Sequence, residues 1–201
     1  MSVAPRRYAA VLAAVLAAAG LGLAGCSQDP NSVAAQAKAG DQKGYVSGDG
    51  TVEQIPVADR GAPVDLHGDL LGGGTWSSAD HRGQVVVINV WGSWCPPCVA
   101  ETPDLQKAWE QTQAAKQDVQ FIGIDFREDP ARGQAFRSSR HVTYPSLTDE
   151  SGVLILALQG KATTTPTTLV LDAQGRIAAR VSGVVDASTL TGLIDDTIPA
   201  S

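Results

Sequence analysis

The sequence contains few cysteines and no excess of basic residues. Three cysteines among 201 residues are too few for a small domain held together by many disulfides. Fifteen Lys and Arg residues stand against 21 Asp and Glu, so the formal net charge is −6 and a polybasic nucleic-acid-binding protein is excluded. Apolar residues make up 43% of the chain, which is enough to build one ordinary globular domain.

A long uncharged apolar run occurs near the N-terminus. It covers Tyr8–Gly25 and follows Arg6 and Arg7, which is the arrangement of an export signal. Its end, LAGC, resembles the bacterial lipobox, which implies cleavage before Cys26 and attachment of a lipid to that thiol. The alternative is an uncleaved signal anchor with a free Cys26. Both interpretations place the rest of the chain outside the cytoplasm, and we expect a lipid anchor in the cell membrane.

The remaining chain divides into a polar stretch and a domain. Residues 26–50 are rich in Gly, Ala, Ser, Asp and Gln, and we interpret them as a flexible tether that follows a signal peptide at residues 1–25. Residues 51–201 then form one domain of about 150 residues. A domain of that size buries roughly 70% of its chain surface, so it needs no disulfide merely to fold.

Apolar patterns and capping residues predict an α/β domain. The runs Gln84–Trp91 and Val119–Phe126 are too apolar for strands with one exposed face, so both are predicted to lie inside a sheet. One helix follows the first strand, another begins at Asp129 before Pro130, and a third is capped by Asp186. A strand–turn–strand unit precedes the last helix, and a glycine-rich hairpin precedes the first central strand. The predicted architecture is a mixed central sheet with helices on both faces.

Two cysteines, Cys95 and Cys98, follow the first central strand at the start of a helix. The pair could bind a metal, form a structural disulfide or act as a reversible redox pair. A zinc site needs four protein ligands, or three and an open position, and none of the three histidines lies at ligand spacing. The intervening Pro96 and Pro97 have no N–H to support metal-bound thiolates. We therefore expect no metal and no other cofactor.

The segment around the cysteines, VVVINVWGSWCPPCVAETP, resembles the TlpA/ResA group of membrane-tethered thiol–disulfide oxidoreductases in the thioredoxin superfamily. Pro103 lies where the active-site helix of that family is kinked, and Glu101 matches a glutamate of the ResA-like branch. The stretch TTTPTT matches the family's cis-proline loop and makes Pro166 that residue. The similarity covers Val57 to Ile198 and implies a thioredoxin-like fold with an N-terminal β-hairpin extension.

Chemical roles follow for four residues. Cys95 stands at the helix start, where unpaired N–H groups and the helix dipole favour a thiolate, and we interpret it as the attacking nucleophile. Cys98 is then the resolving thiol, and the two form a redox disulfide. The resemblance implies that Glu101 exchanges protons with the cysteines, whereas a solvated surface glutamate is the alternative. Asn89 occupies the position of a buried acid in thioredoxins and cannot titrate, which leaves proton handling to Glu101 or to water.

Other residues are expected to support the pair or to contact substrate. Pro96 and Pro97 remove two N–H donors near the first sulfur, so the pair is expected to favour donating electrons. Trp94 either shields that sulfur or contacts substrate. By the resemblance alone, the Thr165–Pro166 peptide is expected to be cis and to pair through its backbone with an extended substrate segment.

These residues predict a membrane-anchored extracytoplasmic thiol–disulfide oxidoreductase. The resemblance implies that it reduces disulfides of exported proteins such as apocytochrome c, with electrons from a membrane thiol donor of the CcdA/DsbD kind. One alternative is a disulfide-forming oxidant, and another is a non-enzymatic binding lipoprotein in which Cys95–Cys98 is an inert structural bond. A peroxidase of related fold is disfavoured, because it would carry a threonine three residues before the cysteine, where this chain has Gly92.

Overall fold

The computed structural model describes residues 50–199, in which eight β-strands and three α-helices are found. The elements are β1 (Thr51–Gln54), β2 (His67–Asp69), β3 (Thr75–Ser77), β4 (Val85–Trp91), α1 (Pro96–Ala114), β5 (Val119–Phe126), α2 (Pro130–Ser139), β6 (Ser146–Asp149), β7 (Thr167–Leu171), β8 (Ile177–Ser182) and α3 (Ala187–Thr197). The expected signal peptide, Cys26 and the tether up to residue 49 lie outside the described residues. Between residues 50 and 199, no helix is both long and apolar enough to cross a membrane.

Six of the strands form one mixed sheet in the order β1-β8-β7-β4-β5-β6. The pairs β4–β5 and β5–β6 are parallel, and the other neighbours are antiparallel. Strands β2 and β3 form a separate antiparallel hairpin, which joins the edge of the large sheet through a bridge between Leu70 and Leu147. The predicted mixed sheet and the hairpin that precedes it are confirmed.

The two faces of the sheet are covered by different kinds of element. Val85 and Val87 of β4 belong to a core cluster that includes residues of α1 and α3, whereas Val86 and Ile88 belong to the cluster on the opposite face. Among the described residues, that second cluster contains none from α1, α2 or α3. It is completed by the hairpin, the segment before it and a 3₁₀ helix at Leu154–Leu158.

The expectation of α-helices on both faces is therefore wrong for the described part of the chain. The reason is topological. The chain moves from β4 to β5 to β6 in one direction across the sheet, and right-handed crossovers then place α1 and α2 on the same face.

The pairing of β7 with β4 determines where the functional residues meet. Val90, near the end of β4, lies opposite Thr167, the first residue of β7. The turn that leads from β4 to α1 is consequently beside the loop that precedes β7. The first carries Cys95, and the second carries Pro166.

Candidate active site

The two cysteines form a disulfide at the start of α1, with their Cα atoms 5.3 Å apart. Cys95 is the N-cap residue of the helix, and the Cys98 N–H donates to Cys95 Sγ over 3.3 Å. A capping side chain normally accepts from the second or third residue of the helix, so this sulfur occupies the place of a capping oxygen. A thiolate here would receive the same N–H and would face the positive end of the helix dipole.

Prolines shape the first turns of α1. Pro96 and Pro97 are its first two residues. Neither has an N–H, and the first N–H groups of a helix have no intrahelical partner, so the helix tolerates both residues. Cys98 is consequently the first helical residue that can donate to the Cys95 sulfur. Pro103 also lies inside α1, which continues to Ala114.

Glu101 lies one helical turn after Cys98 and has an exposed fraction of 0%. Its Oε1 accepts from Asn89 Nδ2 over 2.9 Å, and its Oε2 accepts from the Val185 N–H over 3.2 Å. Burial raises the pKa of Glu101 to about 8, although both hydrogen bonds lower it. The alternative of a solvated surface glutamate is therefore wrong, and the carboxyl group is protonated at neutral pH.

Asn89 links Glu101 to the neighbouring strand β7. Its Nδ2 also donates to Thr168 Oγ1 over 3.1 Å, and Asn89 and Thr168 are partners across the β4–β7 ladder. All three side chains are buried. Sequence reasoning did not identify Thr168, because its place opposite Asn89 depends on the strand register, and register is set by the packing of the whole sheet.

The Thr165–Pro166 peptide bond is cis, which is the geometry that the resemblance implied. The Thr165 carbonyl oxygen lies 3.8 Å from Cys95 Sγ, and Thr165 is buried. The Pro166 carbonyl accepts from the Gly183 N–H over 2.9 Å, which ties the loop to the end of β8. The backbone before β7 is thus held directly against the Cys95 sulfur.

Trp94 is half-buried beside the disulfide. Its indole Nε1 donates to the Phe126 carbonyl over 3.0 Å, and its ring packs against a cluster that contains Leu71, Trp91 and both cysteines. A Cβ built on Gly92 would lie only 2.7 Å from Trp94 Cε2, so the indole fills the space beside Gly92. Trp94 therefore contributes to the cover over the sulfurs. Its contact with substrate stays a prediction.

The disulfide itself is buried. The exposed fractions of Cys95 and Cys98 are 0% and 2%. A partner thiolate can reach Cys95 Sγ only after a local opening of the surrounding side chains.

A buried carboxylate that sequence reasoning missed lies next to the turn before Cys95. Glu128 follows β5 and is only 3% exposed. Its Oε2 accepts from the Ser93 N–H over 2.8 Å, and its Oε1 accepts from the Ser93 hydroxyl. The sequence marks its exposed neighbour Asp129 as a helix start but does not indicate that Glu128 is buried, because burial here depends on the path of the chain after β5.

No group of three or more His, Cys, Asp or Glu side chains within residues 50–199 is arranged to hold a metal ion. His81 stacks on Trp76 with 5.0 Å between ring centroids, and its Nδ1 lies 2.8 Å from Gln84 Oε1.

A model of the AhpC/TSA family matches residues 59–180. That span includes Cys95, Cys98, Glu101 and the Thr165–Pro166 peptide. The match covers more than half of the chain.

Individual relatives carry related names. The chain is 36% identical over 111 residues to the thiol:disulfide interchange protein DsbE of Pseudomonas aeruginosa, and the alignment covers 55% of this chain and 57% of that protein. It is 27% identical over 133 residues to the thiol-disulfide oxidoreductase ResA of Geobacillus thermodenitrificans, with 66% and 74% covered. The crystal structure of a secreted thiol-disulfide isomerase from Corynebacterium glutamicum superposes with a TM-score of 0.67 at 34% identity, covering 75% of this chain and 96% of that one. The predicted thioredoxin-like fold and the resemblance to ResA-like proteins are confirmed.

Proposed function

The chain belongs to the AhpC/TSA family of thioredoxin-like proteins, and we propose that it is an extracytoplasmic thiol–disulfide oxidoreductase that works through Cys95 and Cys98. One observation carries the proposal. A disulfide lies at the N-terminus of a helix, with a buried, protonated Glu101 one turn further along. The interchange and oxidoreductase names of the relatives support it.

The reaction starts from the reduced pair. The Cys95 thiolate attacks one sulfur of a substrate disulfide, which forms a mixed disulfide and releases the first substrate thiolate. The Cys98 thiol loses its proton and attacks Cys95 Sγ, which breaks the mixed disulfide and releases the second thiolate. The substrate gains two electrons and two protons, and the protein is left as the Cys95–Cys98 disulfide observed in the structure.

Glu101 holds a proton one helical turn after the resolving cysteine. When a donor dithiol reduces the Cys95–Cys98 bond, Cys98 leaves as a thiolate and needs a proton, which the protonated Glu101 can supply. Asn89 orients the carboxyl group but cannot titrate, so it does not replace Glu101 in this step.

Reduction of exported proteins is the proposed direction. Because Pro97, the second helical residue, has no N–H, the Cys95 thiolate lacks one possible donor, which destabilises the reduced form and favours electron donation. We propose disulfide-containing exported proteins, apocytochrome c among them, as substrates and a CcdA/DsbD-like membrane thiol protein as the electron donor. A standard reduction potential of about −270 mV, measured by equilibration with glutathione, is expected for a reductase, whereas a value of about −120 mV would indicate an oxidant.

Attachment to the membrane is proposed through a lipid on Cys26, which lies at the end of the LAGC motif. An acyl chain contributes about 0.8 kcal/mol per buried CH₂, so more than one chain on a single residue gives stable anchoring. Mass spectrometry of the membrane-bound protein should find an acylated Cys26 as the first residue. An intact N-terminal segment with a free Cys26 thiol would instead support an uncleaved signal anchor.

Insulin reduction with dithiothreitol as electron source tests the proposed activity. The wild-type protein should accelerate precipitation of the insulin B chain, and Cys95→Ser should not. Cys98→Ser should form a stable mixed disulfide with substrate that mass spectrometry detects, because the second attack is lost. Equal insulin reduction by wild type and Cys95→Ser would contradict the proposal.

A second candidate, an inert structural disulfide in a binding protein, is favoured by the burial of both cysteines. An inert bond should resist both glutathione and dithiothreitol under native conditions. A thiol count after incubation with each reductant separates the two functions. Free thiols at both Cys95 and Cys98 in a folded protein support exchange, and an intact Cys95–Cys98 bond supports the structural role.

Peroxidase activity is not supported. The threonine that such chemistry would place three residues before Cys95 is replaced by Gly92, and Trp94 fills the space that a side chain at this position would need. The proposed exchange reaction has no such requirement.

A further inference from the structure

We propose that Glu128 is a positioning residue for Cys95, because it braces the turn Gly92–Cys95 between β4 and α1. The inference rests on the proposed function only in taking Cys95 as the attacking thiol. Glu128 lies outside the segment that contains the CxxC motif, so neither the motif nor its spacing identifies it.

The brace consists of two adjacent residues of the turn that bind the end of β5 and the loop after it. The Ser93 N–H and the Ser93 hydroxyl both donate to the carboxylate of Glu128 in that loop. The next residue, Trp94, donates from Nε1 to the carbonyl of Phe126, the last residue of β5, over 3.0 Å. Three hydrogen bonds thus connect the turn to this part of the chain. The Glu128 side chain is 3% exposed, which shields these bonds from competition with water.

The loop that carries Glu128 is itself held in place. The Arg127 N–H donates to the Asp149 carbonyl over 2.9 Å, which fixes the loop to the end of β6. Asp149 in turn accepts from the Val153 N–H over 2.8 Å. On the other side of Glu128, Asp129 caps α2 by accepting from the Ala131 N–H over 2.9 Å. Because these contacts fix the loop, the Glu128 carboxylate can hold Ser93 in one position.

The position of Ser93 matters for the sulfur because the turn is short. The Cys95 N–H donates to the Gly92 carbonyl over 3.1 Å, so residues 92–95 form one hydrogen-bonded turn. The orientation of Cys95 as N-cap directs its sulfur at the Cys98 N–H, the contact that would stabilise a thiolate. If Ser93 is released, Cys95 samples other orientations and this contact is made for less of the time.

Two substitutions of Glu128 separate geometry from charge. Glu128→Asp keeps the charge but withdraws the oxygens by one CH₂, whereas Glu128→Gln keeps the length and can still accept from the Ser93 N–H while donating to its hydroxyl. Both are made in the full chain with Cys98→Ser, so that Cys95 is the reactive thiol of the pair. The measurement is the rate of alkylation by iodoacetamide between pH 5 and 10, with cysteine assignment by mass spectrometry.

We expect Glu128→Asp to lower the Cys95 alkylation rate at pH 7 by about fivefold, as the loss of roughly one hydrogen bond predicts, and to move the midpoint of the rate–pH curve upward. Glu128→Gln should stay within about twofold of the parent, since its amide can keep both contacts with Ser93. The matched control is Glu150→Asp, which shortens an exposed glutamate by the same CH₂ and should leave the rate–pH curve unchanged.

Either of two results overturns the proposal. A Glu128→Asp curve that superimposes on the parent curve, in a folded protein, would reduce Glu128 to a structural role. A large effect of Glu128→Gln with none of Glu128→Asp would show that charge, not positioning, acts on Cys95. Alkylation needs no substrate protein, so it tests the role of Glu128 separately from the proposed function. The expected alkylation curves together with a failed insulin assay would reject the proposed function but not the role of Glu128.

Discussion

Glu101 and Asn89 are hydrogen-bonded to each other inside the protein, with 2.9 Å between Glu101 Oε1 and Asn89 Nδ2. The donor belongs to β4 and the acceptor to α1, so the bond joins the central strand to the helix that begins with the disulfide. Because burial raises the pKa of Glu101 to about 8, a proton is stored at this junction at neutral pH. Two kinds of measurement should detect it.

The first prediction concerns stability against pH. The pKa of Glu101 is near 4.5 when the chain is unfolded and about 8 when it is folded, so between these values only the unfolded state releases the proton. The contribution of Glu101 to the free energy of unfolding should therefore be constant below about pH 4.5, fall as the pH rises to 8, and level off above that. The full loss is on the order of 5 kcal/mol, since one pKa unit is about 1.4 kcal/mol.

Glu101→Gln supplies the comparison, because it keeps the shape and cannot ionise. The difference in melting temperature between variant and wild type should grow in favour of the variant from pH 5 to pH 8. Urea denaturation at pH 5, 6.5 and 8 measures the same trend as a free energy. A difference that does not change over this range would mean that Glu101 titrates at an ordinary acidic pH.

The second prediction concerns proton transfer to the resolving cysteine. In a Cys95→Ser background, alkylation of Cys98 should depend on pH in two steps, because Glu101 ionises near pH 8 and its charge then opposes the neighbouring thiolate. With Glu101→Gln, a single step is expected. Gln113→Glu, a substitution at an exposed position of the same helix, is a control that should leave the two-step curve intact.

Much of this arrangement could be predicted from the sequence because its signals are local. The strand expected at Val119–Phe126 has those bounds in the structure, and Asp186 caps α3 as expected. A buried strand with an apolar run and a helix capped by a carboxylate both depend on neighbouring residues, so the sequence alone can predict them. The position of Cys95 and Cys98 at a helix start follows from the same local pattern.

The parts that could not be predicted depend on distant contacts. Strand β1 has the polar sequence TVEQ and forms only because it pairs with β8 at the edge of the sheet. Glu128 is buried because the chain after β5 turns towards Ser93, 35 residues earlier in the sequence. Glu101 is an acidic residue near a helix start, where a solvated side chain is the ordinary outcome, and its burial results from Asn89 and Val185 arriving from elsewhere.

A third prediction tests a local stabilising contact away from the redox pair. Asp186 accepts from the Thr189 N–H over 2.9 Å and from the Ser188 hydroxyl over 2.6 Å at the start of α3. Asp186→Ala should lower the free energy of unfolding by about 1 kcal/mol, the usual cost of losing an N-cap. Thermal unfolding at pH 7 checks this, and Asp186→Asn, which retains an acceptor, should recover most of the loss.

The equilibrium between the Cys95–Cys98 disulfide and glutathione should not change with this loss of stability. The equilibrium constant of Asp186→Ala with glutathione should match the wild-type value, because Asp186 lies on α3 and not in the Cys95 turn. A shifted equilibrium would indicate that α3 influences the disulfide, through Val185 and its bond to Glu101.

The last prediction concerns the two prolines between the cysteines, which the structure makes unequal. With Cys95 as N-cap, Pro96 and Pro97 are the first and second helical residues, and a capping side chain accepts from the second or third. The Cys98 N–H fills the third position, so Pro97 is the residue whose missing N–H deprives the sulfur of a donor. Pro97→Ala should therefore stabilise the Cys95 thiolate and raise the reduction potential by about 30 mV, which corresponds to roughly 1.4 kcal/mol.

Pro96→Ala is the matched control, since it makes the same chemical change one residue earlier, where the new N–H does not reach the sulfur. Its potential should stay within about 10 mV of wild type, roughly a third of the shift expected for one hydrogen bond. Both potentials are measured by equilibration with glutathione and quantification of free thiols. Equal shifts for the two variants would mean that chain flexibility, rather than a specific N–H donor, sets the potential. A larger shift for Pro96→Ala would contradict the capping geometry itself, because it would require the donor to come from the first helical residue.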